Sequence, residues 1–446
     1  MMTRLMRMNE LGRRTWKSTR MARLSQPTTT TTTTITKSFS SHSISKSQEQ
    51  QPLPFDPLIP LKILNPIGKK NSNDQHIGLP DLAQLENESF AVKVYEVMLG
   101  LPILDTFMSN LQRHGRISFY MTSYGEEGAV VGSAAALGDH DEVFAQYREQ
   151  GILLWRGCSL DYLTAQCFGS VEDESSKGRQ MPVHYASKKH HFHSISSPLA
   201  TQIPQAAGAA YALKRMRQKG ERPDDCVVCY LGEGAASEGD FHAGVNMASV
   251  LGGPIVFFIR NNGFAISTPS SQQFKGDGIA SRAAGYGIDA IRVDGNDPLA
   301  VYLATREARR RALEGAGRAV MVEAMTYRVG HHSTSDDSSA YRNPNEVDQW
   351  RKRDNPINRM RAFLESKGWW DPAKEEDRIK QWKNDISKSV KRTEKMSKPS
   401  LKDMWTDTYG TEQNHLDQQR IESERIIKKY SEYRVYKEEL KKFTKA

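Results

Sequence analysis

Cysteine is scarce in this 446-residue sequence, and no long hydrophobic run is present. Of the four cysteines, Cys226 and Cys229 are spaced as CxxC, but they lie in a strand-like apolar run without a second pair or a nearby histidine. Odd spacing in a strand places them on opposite faces, so zinc and redox roles are disfavoured and buried thiols are expected. The absence of about 18 consecutive apolar residues argues against a membrane span.

Acidic residues are nearly absent from the first 48 positions, which hold nine Lys or Arg residues and one acid, Glu10. This segment accounts for +8 of the net charge of +9, so the remaining chain is nearly neutral and nucleic-acid binding is not indicated. Its Arg-, Ser- and Thr-rich composition is typical of a transit peptide for mitochondria or chloroplasts, and a disordered basic tail is the alternative. We assign residues 1–45 to this segment and 46–88 to an extended arm.

A strand–helix–strand unit is predicted in the middle of the chain. Cys226–Leu231 is an apolar run of strand length, Ser237–Leu251 has a helical pattern, and Pro254–Ile259 is predicted to be a second buried strand. The turn between the first strand and the helix, GEGAA, has small side chains that allow a ligand to approach the backbone closely. Such a unit brings this turn and the end of the second strand to one sheet edge, where ligands bind.

Oxygen-bearing and cationic side chains converge at this predicted edge. Backbone N–H groups at a helix N-terminus suit a phosphate, whereas the carboxylate of Glu233 in the turn would repel one. Together with the amides of Asn261 and Asn262, Glu233 therefore suggests Mg²⁺, which prefers oxygen ligands shared between protein and phosphate. Arg260 adds a cation that can pair with a diphosphate.

Two other interpretations of this stretch remain open. A Rossmann dinucleotide site would share the GxG spacing, but its third small position is Ser237 here, and the next strand ends in Asn rather than a ribose-binding acid. A purely structural glycine turn is the second alternative.

Two further polar clusters receive simpler interpretations. Arg309–Arg311 lie in a charged amphipathic pattern, and we expect them on a solvated helix face. A histidine-rich stretch is predicted to be a loop because its spacing matches no zinc-ligand pattern. Its members are His184, His190, His191 and His193.

The GEG turn followed about thirty residues later by NN resembles the thiamine-diphosphate/Mg²⁺ motif, with Glu233 where most members have Asp. The chain is most similar to alpha subunits of the first component of the 2-oxo acid dehydrogenase complexes. GEGAASEGD, SSPLATQ and GHHSTSDDSSAYR resemble the branched-chain type. The resemblance covers roughly residues 90–400 and implies the α/β thiamine-diphosphate-binding fold. We expect a mostly parallel sheet flanked by helices at 89–365 and a helical C-terminal region at 366–446.

This resemblance implies thiamine-diphosphate-dependent oxidative decarboxylation of branched-chain 2-oxo acids, with acyl transfer to the lipoamide of an acyltransferase. It also implies a separate beta subunit in an α2β2 heterotetramer, a lipoyl acyltransferase core, a regulatory kinase and phosphatase, and the mitochondrial matrix. The alternatives are a pyruvate or acetoin dehydrogenase alpha subunit, an NAD-dependent oxidoreductase, and a non-catalytic regulatory subunit that kept the fold.

The resemblance also assigns residues to the cofactor and its metals. His332 is the expected catalytic residue. The residues expected at thiamine diphosphate are Gln146, Tyr147, Arg148, Ser197, Leu199, Gly234, Ala235, Arg260 and His332. The residues expected at Mg²⁺ are Glu233, Asn262 and, through its backbone carbonyl, Phe264. The residues expected at K⁺ are Ser196, Pro198, Thr201 and Gln202.

The Ser/Thr/Gln cluster expected at K⁺ would serve equally well as a helix cap.

The resemblance also implies a phosphorylation site. Ser333 is the expected phosphorylation site, whereas the position of a second family phosphoserine is occupied by Asn343. Regulation through that second position is therefore not expected.

Overall fold

A five-stranded, all-parallel sheet forms the centre of the chain in the computed structural model, which describes residues 82–406, 409–411 and 413–441. The predicted transit peptide and most of the predicted arm lie outside the described residues. The strands are β1 Glu142–Phe144, β2 Val227–Gly232, β3 Ile255–Asn261, β4 Phe264–Ala265, β5 Thr268–Pro269, β6 Asp289–Asp294 and β7 Ala319–Met325. The sheet order is β1-β2-β3-β7-β6, while β4 and β5 form a small antiparallel pair.

Helices cover both faces of this sheet. The helices are α1 Glu88–Arg113, α2 Glu127–Ala135, α3 Gln150–Trp155, α4 Leu160–Phe168, α5 Gln202–Gln218, α6 Gly239–Leu251, α7 Ser270–Gln273, α8 Ala283–Tyr286, α9 Pro298–Ala312, α10 Pro344–Arg353, α11 Pro356–Ser366, α12 Pro372–Thr393, α13 Asp403–Thr406, α14 Asn414–Tyr430 and α15 Arg434–Leu440. Short 3-10 segments lie at Leu82–Glu86, Lys188–His190, Ala235–Ser237, Ala280–Arg282 and Ser338–Ala340. The predicted fold class is confirmed.

The central strands are buried because alternate side chains enter two separate hydrophobic cores. Cys226, Val228 and Tyr230 pack with α1, α2 and α9, whereas Val227 and Cys229 pack with α5 and α6. A parallel sheet covered on both faces requires such continuous apolar strands. The CxxC cysteines therefore lie on opposite faces, and both are buried thiols as predicted.

The predicted strand–helix–strand unit is present, with two shifted boundaries. The helix begins at Gly239 rather than at Ser237, because Glu238 has an extended backbone that separates α6 from the 3-10 turn at Ala235–Ser237. Strand β3 continues to Asn261, two residues beyond the predicted end, and pairs with β7 over its whole length.

The expectation for Arg309–Arg311 is wrong at Arg309. Its Nε donates to Oδ2 of the buried Asp141 at 2.7 Å, so it ties α9 to the segment before β1. Arg310 does lie on the solvated face, where it pairs with Glu307 and Glu314. A charged helical pattern could not distinguish these two arginines, because the acid that binds Arg309 is distant in the sequence.

The helical C-terminal region divides into two parts. Helix α12 packs on α1 and α4, buries Ile386 and Val390 in the main core, and places Ser389 Oγ 2.7 Å from Thr164 Oγ1. Helix α14 buries no residue. None of the helices within the described ranges has the length and apolar character needed to cross a membrane.

Candidate cofactor-binding site

The turn after β2 and the turn after β3 meet at the carboxyl edge of the sheet. Gly232 is in register with Arg260, and the Asn262 backbone N–H lies 3.3 Å from Glu233 Oε2. A Cβ at Gly234 would lie 2.7 Å from Ala265 Cβ, so only glycine allows the two turns to pack this closely. The structure therefore brings Glu233 and Asn262 together, as the sequence predicted.

Arg260 is buried at the base of this edge. Its guanidinium forms ion pairs with Glu126 and with Glu149, the latter at 2.5 Å, and all three side chains are buried. Burial opposes ionisation of Glu126, but the charges of Arg260 and Arg148 outweigh it and hold its pKa below the ordinary value. Asn262 Nδ2 donates to the other Glu126 oxygen at 2.8 Å, which links the β3 turn to this buried triad.

A second cluster of buried cations surrounds His332. Arg148 is only 2% exposed, and its Nη2 donates to the His332 carbonyl at 2.7 Å. His332 Nδ1 lies 3.2 Å from Arg148 Nη2 and also 3.2 Å from Arg328 Nη1. Because guanidinium groups only donate hydrogen bonds, Nδ1 must be the acceptor, and the neutral ring carries its proton on Nε2.

The electrostatics of His332 agree with this tautomer. Burial, reinforced by the neighbouring charges of Arg148 and Arg328, lowers its pKa to about 3. His332 is therefore neutral at physiological pH. The Tyr147 ring meets it edge-on, with ring centroids 5.9 Å apart.

The loop that carries His332 and Ser333 is fixed at several points. Thr334 N donates to the Tyr120 carbonyl at 3.0 Å, and His332 N donates to Asp336 Oδ2 at 2.7 Å. Ser333 is half-buried, accepts from Ser335 N at 3.2 Å, and lines a cavity of about 710 Å³.

Three buried polar atoms beside Glu233 and His332 have no hydrogen-bond partner among the residues that the structure describes. They are Glu233 Oε1, Gln146 Nε2 and Arg328 Nε. Gln146 Oε1, by contrast, accepts from Gly232 N at 3.0 Å and thereby holds the β2 turn. A buried carboxylate oxygen without a donor suits a cation, and buried N–H groups without an acceptor suit an anion.

The electrostatics of Glu233 agree with a role in binding a cation. It is 1% exposed, and burial together with the charge of Glu126 raises its pKa to about 7. No group of three His, Cys, Asp or Glu side chains within the described residues could hold a metal. A metal here would need ligands of another kind, and the donor set of carboxylate, amide, backbone carbonyl and phosphate fits Mg²⁺.

The segment predicted to bind K⁺ has a different arrangement from a simple cap. Thr201 occupies the N-cap of α5 without a side-chain capping bond, and its hydroxyl instead donates to the Pro198 carbonyl at 3.0 Å. Gln202 Nε2 donates to the Tyr230 carbonyl at 3.0 Å. The hydroxyl of Ser197 lies 2.7 Å from His184 Nε2, and Leu199 packs against the second core.

The two acids that pair with Arg260 were not predicted from the sequence. Glu126 follows a Tyr-Gly turn, and Glu149 directly follows the Gln146–Arg148 stretch. The only available signal for Glu149 was its adjacency to Arg148, whereas nothing local marked Glu126. The structure also separates the two asparagines of the NN pair, because Asn261 points to Glu323 rather than to Glu233.

The fold and this polar edge place the chain among α/β proteins whose ligand site lies at the carboxyl ends of parallel strands. The family model of the dehydrogenase E1 component matches residues 95–402, and the chain belongs to this family. The predicted family is thereby confirmed.

Relatives within the family are similar over most of the chain. The mitochondrial 2-oxoisovalerate dehydrogenase subunit alpha of Macaca fascicularis is 54% identical over 342 residues, which cover 77% of this chain and 75% of the relative. The protein of the same name from Homo sapiens is 53% identical with the same coverage. Subunit alpha 2 from Arabidopsis thaliana is 45% identical over 360 residues, covering 81% of this chain and 73% of the relative.

Proposed function

We propose that this chain is the alpha subunit of a branched-chain 2-oxo acid dehydrogenase, the activity for which its relatives are named. Membership in the E1 family implies dependence on thiamine diphosphate. The observation that best supports a site for its diphosphate is the pair of buried arginines, Arg148 and Arg328, whose hydrogen bonds within the described part of the chain all go to neutral acceptors. Beside them, Glu233 keeps an unpartnered oxygen for a cation.

In this proposal the two clusters would hold the metal and the diphosphate. Mg²⁺ would be held by Glu233, Asn262 and the backbone carbonyl of Phe264. The diphosphate would be bound by Arg148 and by Gln146 Nε2, with the charge of Arg260 nearby. The remaining cofactor contacts are assigned to Tyr147, Ser197, Leu199, Gly234, Ala235 and His332.

Bound thiamine diphosphate supplies the electron sink that makes decarboxylation of a 2-oxo acid accessible. His332 is the proposed catalytic residue, because its neutral ring presents the Nε2 proton while Nδ1 is fixed by two arginines. That N–H is prepared to donate a hydrogen bond to an oxygen of the reacting substrate. Arg148 and Arg328 hold the ring in this state, since each disfavours its protonation.

The proposal includes partners that complete the enzyme. A beta subunit would supply the carboxylate that activates the cofactor, within an α2β2 heterotetramer that passes its acyl group to a lipoyl acyltransferase core. A structural K⁺ is assigned to Ser196, Pro198, Thr201 and Gln202. The mitochondrial location in the names of the relatives supports the matrix as the site of action.

Ser333 is the proposed regulatory residue. Phosphorylation by a kinase would add nearly two negative charges immediately next to His332 and compete with a diphosphate for the same arginines. A phosphatase would reverse this effect. Asn343 cannot serve as a second site, and its side chain instead caps α10 by accepting from Asn345 N at 2.9 Å.

Substrate turnover tests the proposed function. The chain assembled with a beta subunit should decarboxylate 3-methyl-2-oxobutanoate in a reaction that requires thiamine diphosphate and Mg²⁺, with a higher kcat/KM than for pyruvate. Equal or better use of pyruvate would favour the pyruvate-type alternative. Full activity of Glu233→Ala in the assembled enzyme would contradict the assigned metal site.

A further inference from the structure

The two adjacent asparagines at the end of β3 have different partners. Asn262 bonds to Glu126 and lies beside Glu233, on the side of the proposed metal. The Asn261 side chain instead donates from Nδ2 to Glu323 Oε1 at 2.8 Å. Consecutive side chains of a strand point to opposite faces, so this division follows directly from the backbone.

Glu323 is a fully buried carboxylate on the internal strand β7, and both of its oxygens accept hydrogen bonds. It accepts from Asn261 Nδ2 and Ile279 N at 2.8 Å, Ala280 N at 2.9 Å, Arg292 Nη2 at 2.9 Å and Arg292 Nε at 3.0 Å. Five N–H donors on one carboxylate fix its orientation. A Cβ at Gly278 would approach its oxygens to 2.7 and 2.9 Å, so the surrounding loop is tightly packed around it.

Asn261 transmits this fixed orientation to the turn. Its Oδ1 accepts from Gly263 N at 3.2 Å, and its carbonyl accepts from Thr326 N at 2.9 Å. Gly263 has a φ of +86°, which allows the chain to reverse, and the next residue donates its N–H to Asn262 Oδ1 at 3.1 Å. The side chain of Asn261 is therefore held between an anchored carboxylate and the turn that presents Asn262 and Phe264.

We propose that Asn261 and Glu323 act as a positioning pair for the Mg²⁺ turn. This inference rests on the proposed function, and it assigns a role to two residues outside the metal's own ligand set. Groups that orient metal ligands typically change metal affinity by about 10- to 100-fold when they are removed. The pair would act by fixing where Asn262 Oδ1 and the Phe264 carbonyl lie.

The test measures Mg²⁺ dependence rather than turnover. The chain assembled with its beta subunit is incubated with a fixed concentration of thiamine diphosphate, and thermal stabilisation is followed as Mg²⁺ is titrated. Asn261→Ala should raise the Mg²⁺ concentration at half-saturation by about 10-fold or more. Asn261→Asp keeps the acceptor for Gly263 N but faces Glu323 with a second carboxylate, so it should be at least as impaired.

A matched control is available in Asn296→Ala. Asn296 is equally buried and lines the same 540 Å³ cavity as Asn261, but its side chain accepts from Thr326 Oγ1 at 2.8 Å. Its half-saturating Mg²⁺ concentration should stay within about twofold of the wild-type value, since it contacts no metal-turn residue through this bond.

Three outcomes would overturn the inference. An Asn261→Asp enzyme with wild-type Mg²⁺ dependence would mean that the turn alone suffices and that Glu323 does not position it. Equal shifts in Asn261→Ala and Asn296→Ala would indicate a general packing defect. A lower unfolding temperature of Asn261→Ala with unchanged Mg²⁺ half-saturation would leave only a structural role. If the wild-type assembly showed no stabilisation by Mg²⁺ with thiamine diphosphate, the proposed function itself would fail.

Discussion

The buried arginines of the candidate site fall into two kinds. Arg260 forms ion pairs with two buried carboxylates, Glu126 and Glu149. Arg148 and Arg328 are equally buried, yet no carboxylate among the described residues forms an ion pair with either of them. Their hydrogen bonds go to backbone carbonyls, a tyrosine hydroxyl and the neutral His332 ring.

This difference distinguishes an arginine that stabilises the site from arginines that are available to bind an anionic ligand. A buried charge is costly unless it is paired, and the pairing of Arg260 is complete within the chain. The two unpaired arginines retain that cost in the isolated chain, and an anionic ligand would relieve it. Burial lowers the pKa of Arg148, while the acids around Arg260 raise its pKa despite burial. We infer that Arg260 mainly holds the base of the site and that Arg148 mainly holds the ligand.

Replacing Arg260 should have the largest effect on stability. Arg260→Met leaves Glu126 and Glu149 buried without their cation, and breaking a buried pair in this way costs about 3–5 kcal/mol. The expected result is a clearly lower urea midpoint for the cofactor-free protein.

The matched control for this prediction is Arg359→Met. Arg359 is just as buried, but its partners Asp294 and Asp354 have side chains that are 13% and 27% exposed, so water can solvate them after the substitution. Its loss of stability should be smaller. A larger loss for Arg359→Met than for Arg260→Met would contradict the assigned role of the Arg260 triad.

Replacing Arg148 should weaken cofactor binding and leave the stability of the protein nearly unchanged. Arg148→Met removes a buried charge without stranding a carboxylate, so the urea midpoint of the cofactor-free protein should change little. Affinity for thiamine diphosphate should fall roughly 10- to 100-fold, which corresponds to about 1.5–3 kcal/mol for a charged hydrogen bond. Calorimetric titration of the cofactor into the assembled enzyme measures this loss directly.

A conservative substitution sharpens the same comparison. Arg148→Lys keeps the charge but cannot reach both the Thr122 carbonyl and His332 as the planar guanidinium does. It should bind the cofactor better than Arg148→Met and still worse than the wild type. Equal stability losses for Arg148→Met and Arg260→Met would eliminate the distinction between the two kinds of arginine.

The sequence allowed two strands and the meeting of their turns to be predicted because the signals are local. Apolar, partly β-branched runs indicated β2 and β3, and the GEG and NN elements indicated the sheet edge where Glu233 and Asn262 meet. The partners of Arg260 could not be predicted, since Glu126 lies more than a hundred residues away and no pattern links the two. The ion pair between Arg309 and Asp141 was not predicted for the same reason, because the charge pattern of a helix carries no information about an acid elsewhere in the chain.

Two adjacent acids provide the smallest and most specific test of this view. Glu126 has Arg260 and a lowered pKa, whereas the equally buried Glu127 accepts only from Gly125 N, at 2.9 Å, among its described contacts. Burial, reinforced by the charge of Asp105, raises the pKa of Glu127 to about 8. A carboxyl group with a raised folded-state pKa stabilises the protein fully below its unfolded pKa of about 4.5, and this contribution is lost as the pH rises through 8.

Glu127→Gln removes this titration while keeping an acceptor for Gly125 N. Between pH 6 and 7, the wild type should therefore lose up to about 1.4 kcal/mol more stability than the variant, the limit for one proton per pH unit. Asp105, whose pKa burial raises to about 7, titrates in the same window in both proteins, so the difference removes its own titration and keeps only its coupling to Glu127. Urea unfolding at pH 5, 6, 7 and 8 measures the two slopes. Equal pH dependence of stability in the wild type and the variant would show that Glu127 is charged in the folded protein. The contrast between the paired Glu126 and the unpaired Glu127 would then be wrong.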